Sequence, residues 1–320
     1  MNEKAIIYYN KNNLGDNMEI RILRYFLAIA NEGTITGAAE KLYITQPTLS
    51  RQMMELEENL GKKLFIRGKR TLILTEEGIL LRKRAEEIIQ LVEKTEIEIN
   101  SSEDIINGNI YIGSGETKAI EIVAKIAKML NKDYPDIKYH LFSGNADEIT
   151  EKLDKGLLDF GILIGSADIK KYEYLKINDN DIWGLLMRRD SKLSAKAAIT
   201  AKDLWNIPLL CSRQSMVADD FSKWIGKDFN DLNIVGTYNL IYNASIMVKE
   251  NIGYALCLDR LINTTGDSEL CFIPLEPRIE VDLNIVWKKN QVFSKAAKKF
   301  LELMIKVIID DKNNNRKNFE

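Results

Sequence analysis

Hydrogen-bonding side chains are concentrated between residues 45 and 51, where the sequence is TQPTLSR. On a helix, which turns 100° per residue, Pro47 and Arg51 lie roughly opposite the apolar Leu49, so the polar groups share the exposed face. Amide, hydroxyl and guanidinium groups on such a face can contact base edges in the major groove of DNA, which presents a different donor and acceptor pattern for each base pair. An ordinary helical hairpin whose polar face meets water would show the same pattern, and the segment alone leaves both interpretations open.

Three apolar stripes with helical spacing surround this segment and predict the elements that position it. Their members are Leu23, Phe26, Leu27 and Ala30, then Ile35, Ala38, Ala39 and Leu42, then Leu49, Met53, Leu56 and Leu60. Thr34 and Thr45 are suited to cap the second and third helices. Pro47 falls in a first turn, where its missing N–H breaks no helical hydrogen bond. We therefore expect three helices, the last two joined by a tight connection at residues 43 and 44.

A basic hairpin is predicted directly after these helices. Residues 61–75, GKKLFIRGKRTLILT, alternate in polarity around a Gly-containing turn, which is typical of a small two-stranded wing. The basic residues from the third helix to the wing are Arg51, Lys62, Lys63, Arg67, Lys69 and Arg70. Charges at a wing tip can reach phosphates or a narrow minor groove, where arginine is favoured. A solvated charged face is the alternative, but a helix pair followed by a basic wing is a stronger indication than either part.

Several short motifs in this region are those of a known family. They include Ala38-Ala39-Glu40-Lys41-Leu42, Gln46-Pro47-Thr48-Leu49-Ser50-Arg51, Leu64-Phe65 and Leu74-Thr75-Glu76-Glu77-Gly78. On these residues the chain resembles the winged helix-turn-helix of LysR-type transcriptional regulators, and residues 18–76 are the expected DNA-binding domain. The resemblance implies a set of DNA-contacting residues, namely Thr45, Gln46, Pro47, Thr48, Ser50 and Arg51 on the helix and Arg67, Lys69 and Arg70 in the wing. The sequence departs from the family at Gly37, a position often Arg or Lys, so the resemblance implies one phosphate contact fewer.

A long helix with a heptad seam is predicted after the wing, over residues 77–107. Its seam residues, at alternating steps of four and three, are Leu81, Ala85, Ile88, Val92, Thr95 and Ile99. Such a seam is typical of a coiled coil, although one helix packed on its own domain shows a similar stripe. Because no other helix of the winged domain is spare to cover the seam, we expect pairing with a second subunit. A dimer would present two recognition helices to a pseudo-palindromic site.

Strand and helix signals alternate from residue 108 to about residue 310, which predicts an α/β domain with largely parallel sheets. This part resembles the two-lobed, type 2 periplasmic-binding-protein-like effector domain of the same family on the motifs Tyr134-Pro135-Asp136, Gly156-Leu157-Leu158-Asp159 and Asn251-Ile252-Gly253-Tyr254-Ala255. The expected boundaries are 108–180 and 282–310 for lobe I and 181–281 for lobe II.

Both ends of the chain are expected to lie outside the folded domains. The polar tail 311–320 is predicted to be disordered. Residues 1–17 precede Met18, where chains of the family normally begin. We therefore expect residues 1–17 to be either a flexible arm or the product of an upstream translation start.

Polar residues after the predicted strands form a candidate effector site, because ligands of open α/β sheets bind beyond the carboxyl ends of the strands. This rule selects Ser114, Gly115, Glu116, Thr117, Gly144, Gly165 and Ser166 in lobe I, and Ser212, Arg213 and Gln214 in lobe II. Hydroxyls and N–H groups at helix starts suit an anionic head group, and Arg213 could pair with one. Glu116 adds negative charge at the same turn, so either the ligand carries an amine or Glu116 caps a helix. Plain capping is the alternative for each serine and threonine.

Composition and the remaining motifs argue against several classes of protein function. The net charge is −2, so any DNA affinity must come from local clusters of basic residues. The single histidine, His140, lies mid-strand, and no catalytic motif is present. The three cysteines are widely spaced without a CxxC pair, which disfavours structural zinc and a disulfide framework. We predict no catalytic residue, no metal and no cofactor. No apolar run is long enough to span a membrane, and the cytoplasm is the expected compartment.

The sequence thus predicts a DNA-binding transcriptional regulator controlled by a small-molecule effector. The resemblance implies a homodimer, often a dimer of dimers, that binds double-stranded DNA and contacts RNA polymerase. A redox-sensing regulator of the same fold is one alternative, since Cys211 lies two residues from Arg213 and a nearby positive charge favours a reactive thiolate. A cytosolic solute-binding protein and a small-molecule enzyme built on the lobes are the others.

Overall fold

The computed structural model describes residues 18–68, 71–100, 106–165, 169–177, 179–212 and 219–317. The chain divides into two compact units, residues 1–100 and residues 101–320.

The N-terminal unit is a helical domain with a two-stranded wing. Its elements are α1 (Ile20–Glu32), α2 (Ile35–Lys41), α3 (Gln46–Leu60), β1 (Phe65–Arg67), β2 (Leu72–Leu74) and α4 (Glu76–Asn100). Thr34 and Thr45 accept hydrogen bonds from the Gly37 and Thr48 N–H groups, so both predicted helix caps are confirmed. Phe26 and Leu49 are fully buried in the core that α1, α2 and α3 share. The predicted three helices are therefore present, and their shared core fixes which face of α3 is exposed.

The C-terminal unit contains two mixed sheets with helices against them. Its elements are β3 (Gly108–Ser114), α5 (Ile120–Asp133), β4 (Ile137–Ser143), α6 (Ala146–Asp154), β5 (Phe160–Ile164), β6 (Tyr172–Lys176), β7 (Asp181–Arg188), α7 (Ala201–Leu204), β8 (Leu209–Ser212), α8 (Asp219–Ile225), β9 (Ile234–Tyr238), α9 (Ile241–Lys249), β10 (Tyr254–Leu258), β11 (Leu270–Pro274), β12 (Glu280–Val281), β13 (Leu283–Lys288) and α10 (Lys295–Lys317).

Each lobe is built on one of the two sheets. The lobe I sheet has five strands in the order β4-β3-β5-β13-β6. The lobe II sheet has the order β11-β7-β10-β8-β9, with β12 pairing β7. In lobe I the fully buried Phe160 and Phe300 pack with their rings 5.2 Å apart, which joins the sheet to α10. Phe221 is fully buried in the corresponding core of lobe II.

Three expectations about these elements were wrong in part. The sheets are mixed instead of largely parallel, because β13 is antiparallel to β5 and β6, and β7 is antiparallel to β10 and β11. Helix α4 ends at Asn100, and residues 106 and 107 are not helical; Asn100 and the two serines after it have low helix propensity. The tail expected to be disordered from residue 311 continues α10 as far as Lys317. No Gly or Pro interrupts the helix there, and a polar composition is common to helix ends and disordered tails.

Two crossing segments join the lobes. The chain passes from β6 into β7 near Asp181 and returns from β12 into β13 near Asp282. The two crossings run side by side, because Asp181 pairs with Val281 and Ile182 pairs with Glu280 in antiparallel register. The lobes are therefore linked by a paired two-strand hinge.

Candidate DNA-binding face and interlobe cleft

The polar residues of α3 lie on the exposed side of its first two turns. Gln46, Pro47 and Arg51 are exposed and Ser50 is half-buried, whereas Leu49 is fully buried. Arg51 forms an ion pair with Glu55 at 3.6 Å, and both side chains are more than half exposed. Exposed pairs one helical turn apart contribute little stability, so the guanidinium can exchange Glu55 for another partner at low cost.

Thr45 and Thr48 have a structural task at the start of the same helix. The Thr45 hydroxyl accepts the Thr48 N–H, and the two hydroxyl oxygens lie 2.8 Å apart. Both residues are exposed, so either hydroxyl can take a further partner. Their first effect, however, is to fix where α3 begins and hence which residues its first turn presents.

Tyr43 is a surface residue that the sequence analysis did not select. It lies in the connection before α3, its side chain is 95% exposed, and its φ is 55°, a left-handed conformation that an aromatic residue rarely adopts. The available signal was an aromatic residue placed between Leu42 and Ile44 in a turn. Tyr43 comes two residues before Thr45, the N-cap of α3, and an exposed tyrosine hydroxyl can donate a hydrogen bond to a phosphate.

The wing is anchored to α3 by Glu57. Its carboxylate accepts hydrogen bonds from the Leu64 N–H at 2.8 Å and the Phe65 N–H at 3.3 Å, and Lys63 Nζ lies 2.6 Å away. Burial raises the pKa of Glu57, but these hydrogen bonds outweigh burial and the net pKa lies below its ordinary value. The β1–β2 pair, with Phe65 opposite Leu74, is thereby held at the C-terminal end of α3.

The structure describes the side chains of only some of the basic residues in and before the wing. Lys63 is ion-paired with Glu57, and Lys62 is paired with Glu77 at 3.3 Å, so both charges have partners within this unit. Lys69 and Arg70 lie outside the described residues, as does the side chain of Arg67.

The predicted seam on α4 is only partly free. Ala85 is fully buried and Leu81 half-buried in the core of the winged domain, because α1 packs along the first half of α4. The expectation that no helix of this domain covers the seam was therefore wrong for these two residues. Further along α4, Val92 is half-buried, Thr95 is exposed and Ile88 and Ile99 are exposed apolar residues.

The exposed apolar residues of α4 form a stripe that is rotated around the helix axis relative to the buried Ala85. Leu80, Ile88, Leu91 and Ile99 are 58%, 37%, 41% and 77% exposed. At 100° per residue these positions fall within about one third of the helix circumference, to one side of Ala85. We name these four residues the α4 stripe.

In lobe I, the carboxyl ends of three parallel strands bring the predicted residues together. The Gly144 N–H donates to the Ser114 carbonyl at 3.2 Å, and a side-chain carbon added to Gly115 would lie 2.7 Å from the Ile164 Cδ1 atom. Gly165 follows β5 with a φ of 75° and with no other atom near the position of an added Cβ. These residues therefore share one sheet edge, while Ser166 lies outside the described residues.

The equivalent edge of lobe II lies opposite. Ser212, at the end of β8, pairs with Tyr238 at the end of β9, and α9 begins three residues later at Ile241. The Glu116 carboxylate of lobe I accepts a hydrogen bond from the Ile241 N–H. Glu116 is therefore a helix cap, but of α9 in the other lobe and not of the helix that follows it in the chain. Arg213 and Gln214 lie outside the described residues.

Four charged residues lie around the hinge, one of them fully buried, and the sequence pattern did not predict this cluster. Thr117 donates its hydroxyl to the Asp181 carboxylate at 2.5 Å, and Asp181 is fully buried. Arg260 contacts Asp181 at 3.3 Å, Asp179 at 3.1 Å and Asp259 at 2.7 Å. Burial raises the pKa of Asp181, opposed by the Thr117 hydrogen bond and by Arg260. The only signal in the sequence was the Asp259-Arg260 pair directly after a strand.

The three thiols lack the features that make a cysteine reactive. Burial raises the pKa of Cys211 to about 12 and also raises the pKa values of Cys257 and Cys271. Cys211 and Cys257 belong to the cores on opposite faces of the lobe II sheet, which keeps their sulfurs apart. A reactive cysteine needs an exposed thiol with a lowered pKa, so the redox alternative loses its support.

His140 does not form a catalytic arrangement. Its ring stacks on Tyr111 with a centroid distance of 4.7 Å, and its Nε2 lies 3.0 Å from Asn109 Oδ1. It lies on the outer strand β4, away from the lobe edge that carries Ser114. Across the described ranges, no group of three metal-ligating side chains is close enough to hold a metal ion, and no helix is long and apolar enough to cross a membrane.

Two family models match the chain in the same order as its two units. Residues 20–79 match the bacterial regulatory helix-turn-helix protein, lysR family, and residues 104–308 match the LysR substrate binding domain. The chain belongs to the LysR family of transcriptional regulators. Membership makes this LysR-family protein a DNA-binding transcriptional regulator and not an enzyme.

Known relatives span nearly the whole of this LysR-family protein. It is 29% identical over 292 residues to the uncharacterized HTH-type transcriptional regulator YvbU of Bacillus subtilis (strain 168), covering 89% of this chain and 97% of that protein. It is 26% identical over 281 residues to the Hca operon transcriptional activator HcaR of Escherichia coli (strain K12), covering 86% and 93%. The structure of full-length CbnR complexed with its target DNA has the same fold, with a TM-score of 0.70, 17% identity and coverage of 90% of this chain and 99% of that chain.

Proposed function

We propose that the exposed face of α3 contacts base edges and that the wing contacts the DNA backbone. The positions of Gln46 and Arg51 on the exposed side of the first two turns support this assignment, since these side chains form bidentate contacts with adenine and guanine. The weak pairing of Arg51 with Glu55 leaves the guanidinium available. Base selection then depends mainly on Gln46, Ser50 and Arg51.

The regulator responds to a small molecule that binds between the two lobes. The observation that carries this proposal is the opposition of the two sheet edges, with Glu116 of lobe I bonded to the first residue of α9 in lobe II. Ligands of open α/β sheets bind at such edges. A ligand that binds one arrangement of the lobes more tightly shifts the population toward it, and the paired hinge at Asp181 and Val281 permits that change.

Two copies of the chain associate through the α4 stripe. Its four exposed apolar side chains would be covered by a second subunit, which gives a dimer with two recognition helices. Assembly of two dimers and contact with RNA polymerase remain predictions from the family resemblance.

A pair of glycine substitutions tests the cleft. Gly165, at the lobe I edge, and Gly266, in a turn of lobe II before β11, both have positive φ angles and open space around an added Cβ. Asparagine tolerates this conformation best among non-glycine residues, so G165N and G266N should fold alike. G165N places an amide in the cleft, whereas G266N is the matched control.

The measurement is a thermal-shift screen of small molecules on the full chain, because a ligand that binds the native state raises Tm. We expect compounds that stabilise the native sequence and G266N to stabilise G165N far less. Equal stabilisation of G165N and G266N by every such compound would show that the cleft is not the effector site.

A further inference from the structure

Helix α9 lacks a cap from its own sequence. The first four N–H groups of a helix have no partner within the helix, and Ser, Thr, Asp or Asn usually supplies an acceptor. The residue at the N-cap of α9 is Leu240, whose side chain has no acceptor atom. The acceptor comes instead from Glu116, 125 residues earlier in the chain. Lobe I therefore completes a helix of lobe II.

The Glu116 contact bridges the two lobes through their side chains and backbone, in addition to the covalent hinge. Glu116 lies two residues after β3, and Ile241 opens the helix that follows β9. The neighbouring residue Thr117 makes the second bridge, to the buried Asp181 at the hinge. Two consecutive residues of lobe I thus hold lobe II at two separate points.

The electrostatics at the start of α9 favour one carboxylate there and oppose a second anion beside it. The N-terminus of α9 carries partial positive charge, which stabilises a carboxylate. Burial raises the pKa of Glu116, and the Ile241 N–H opposes that shift. Of the described neighbours, Tyr238 is buried and its pKa is raised well above the ordinary value, so the phenol stays neutral and donates to the Leu256 carbonyl at 2.6 Å. The single hydroxyl hydrogen of Tyr238 is thus committed to a backbone carbonyl and is not offered to a second anion.

We propose that Glu116 is an interlobe latch that also selects the effector by charge. Its carboxylate occupies the start of α9, so an effector with a carboxylate or phosphate at this end of the cleft is excluded. The effector class that fits carries a hydrogen-bond donor, such as an amine, toward Glu116. This specificity rests on the proposed effector function, whereas the latch itself does not require it.

The test replaces Glu116 and supplies a small carboxylate in its place. In the full chain, E116A removes the cap, and we expect Tm to fall by about 2–4 °C, the shift that loss of one helix cap causes in a domain of this size. Millimolar sodium acetate, compared with sodium chloride at equal ionic strength, should restore much of that loss in E116A by filling the vacated position. E121A, which removes an exposed carboxylate on α5, is the matched control and should show neither effect.

A second variant keeps the test decisive if E116A folds poorly. E116Q retains an acceptor oxygen and the size of the side chain, so it should fold and lose less Tm than E116A, and acetate should have no effect on it. An acetate response in the native sequence equal to that of E116A would overturn the latch, and so would its absence from E116A. The probe in this test is acetate and not the effector. Failure of the effector proposal would appear as equal ligand responses of G165N and G266N, so it is distinguishable from failure of the latch.

Discussion

At the scale of single residues, the polar groups at the start of α3 have two different tasks. Thr45 and Thr48 bond to each other and define the first turn, so their loss would move the helix start. Arg51 is exposed and its one ion pair is weak, so its loss would leave the fold intact. A substitution at Arg51 therefore reports on DNA binding with little interference from stability.

We expect R51A to weaken binding to a DNA duplex selected from a random pool by about 10- to 100-fold, the range of one good base contact. Discrimination between bases at one position of the duplex should also relax. Fluorescence anisotropy with labelled duplexes measures both quantities. The control is K128A, which removes an exposed lysine of α5 in the C-terminal unit. If R51A and K128A bind alike, Arg51 does not contact the DNA.

Single-residue features were the most predictable from the sequence. The caps at Thr34 and Thr45 depend on residues three positions away, so spacing alone predicts them. The partner of Glu116 is 125 residues distant, and only the packing of two lobes determines it. Local pattern therefore gave helix capping as one of two roles for Glu116, but not which helix it caps.

At the scale of elements, one carboxylate positions the wing against α3. Glu57 satisfies two backbone N–H groups at the start of β1, and its own side chain is 11% exposed. Without it, these donors would lose charge-assisted hydrogen bonds. The wing should then loosen while the three-helix core remains.

We expect E57Q to lower the unfolding free energy of the N-terminal unit by about 1–2 kcal/mol at pH 7. Because the pKa of Glu57 in the folded protein lies below the ordinary value of 4.5, its stabilisation is present above pH 4.5 and is lost as the pH falls through the folded pKa. The difference between E57Q and the native sequence should therefore shrink in acid.

Two spectroscopic signals separate the units in this experiment. All four tryptophans, Trp183, Trp205, Trp224 and Trp287, lie in the C-terminal unit. Tryptophan fluorescence thus serves as an internal control, while far-UV circular dichroism also follows the N-terminal helices. An equal shift of both transitions would contradict a local role for Glu57.

The seam on α4 shows why periodicity alone cannot identify a partner. The heptad spacing predicted one apolar stripe, but α1 covers Leu81 and Ala85, which spacing could not reveal. The exposed stripe is displaced to one side and includes Leu91. Helix α4 therefore has one apolar stripe that packs on its own domain and a second apolar stripe that is exposed.

We expect L91K to raise the dissociation constant of the dimer at least about tenfold, because a lysine would place an unpaired charge in an apolar contact. Sedimentation equilibrium measures this constant. Q90K adds the same charge at the next, exposed position of α4 and should leave the dimer intact. Equal association of L91K and Q90K would exclude the α4 stripe as the interface.

At the scale of the whole molecule, charge is concentrated where the two lobes meet. The Arg260 guanidinium contacts the carboxylates of Asp179, Asp181 and Asp259. Of these carboxylates, that of Asp181 is fully buried. Removing the cation would leave a buried carboxylate without its ion pair, which is more costly than never having formed the pair. The hinge should therefore be sensitive to Arg260.

We expect R260M to lower the unfolding free energy of the C-terminal unit by about 2 kcal/mol at neutral pH, less than for a fully buried pair because Arg260 is one third exposed. The raised pKa of Asp181 means that its charged form destabilises the fold, so stability falls as the pH rises above 3.8. Without Arg260 this decline should be steeper. Tryptophan fluorescence during urea unfolding measures it, with the exposed R278M as control. Matching pH profiles for R260M and R278M would contradict the role of the cluster.

The architecture was predictable from the alternation of strands and helices, but the pairing of the strands was not. Local sequence predicts a strand over Leu283–Trp287, yet only tertiary packing places it antiparallel between β5 and β6. The rule for the carboxyl ends of strands selected Ser114 and the three glycines of the lobe I edge, Gly115, Gly144 and Gly165. Applied to β9 as well, the same rule would have indicated the start of α9.

The placement of β13 has a consequence for synthesis of the chain. Lobe II is a continuous stretch from Asp181 to Val281, and its two ends are direct neighbours in the hinge. In the lobe I sheet, β13 lies between β5 and β6 and pairs with both, so the sheet is complete only once β13 is added, and Phe300 of α10 then fills its core. A ribosome making this protein from its N-terminus therefore releases a complete lobe II first, and lobe I closes only after β13 and α10 have been made.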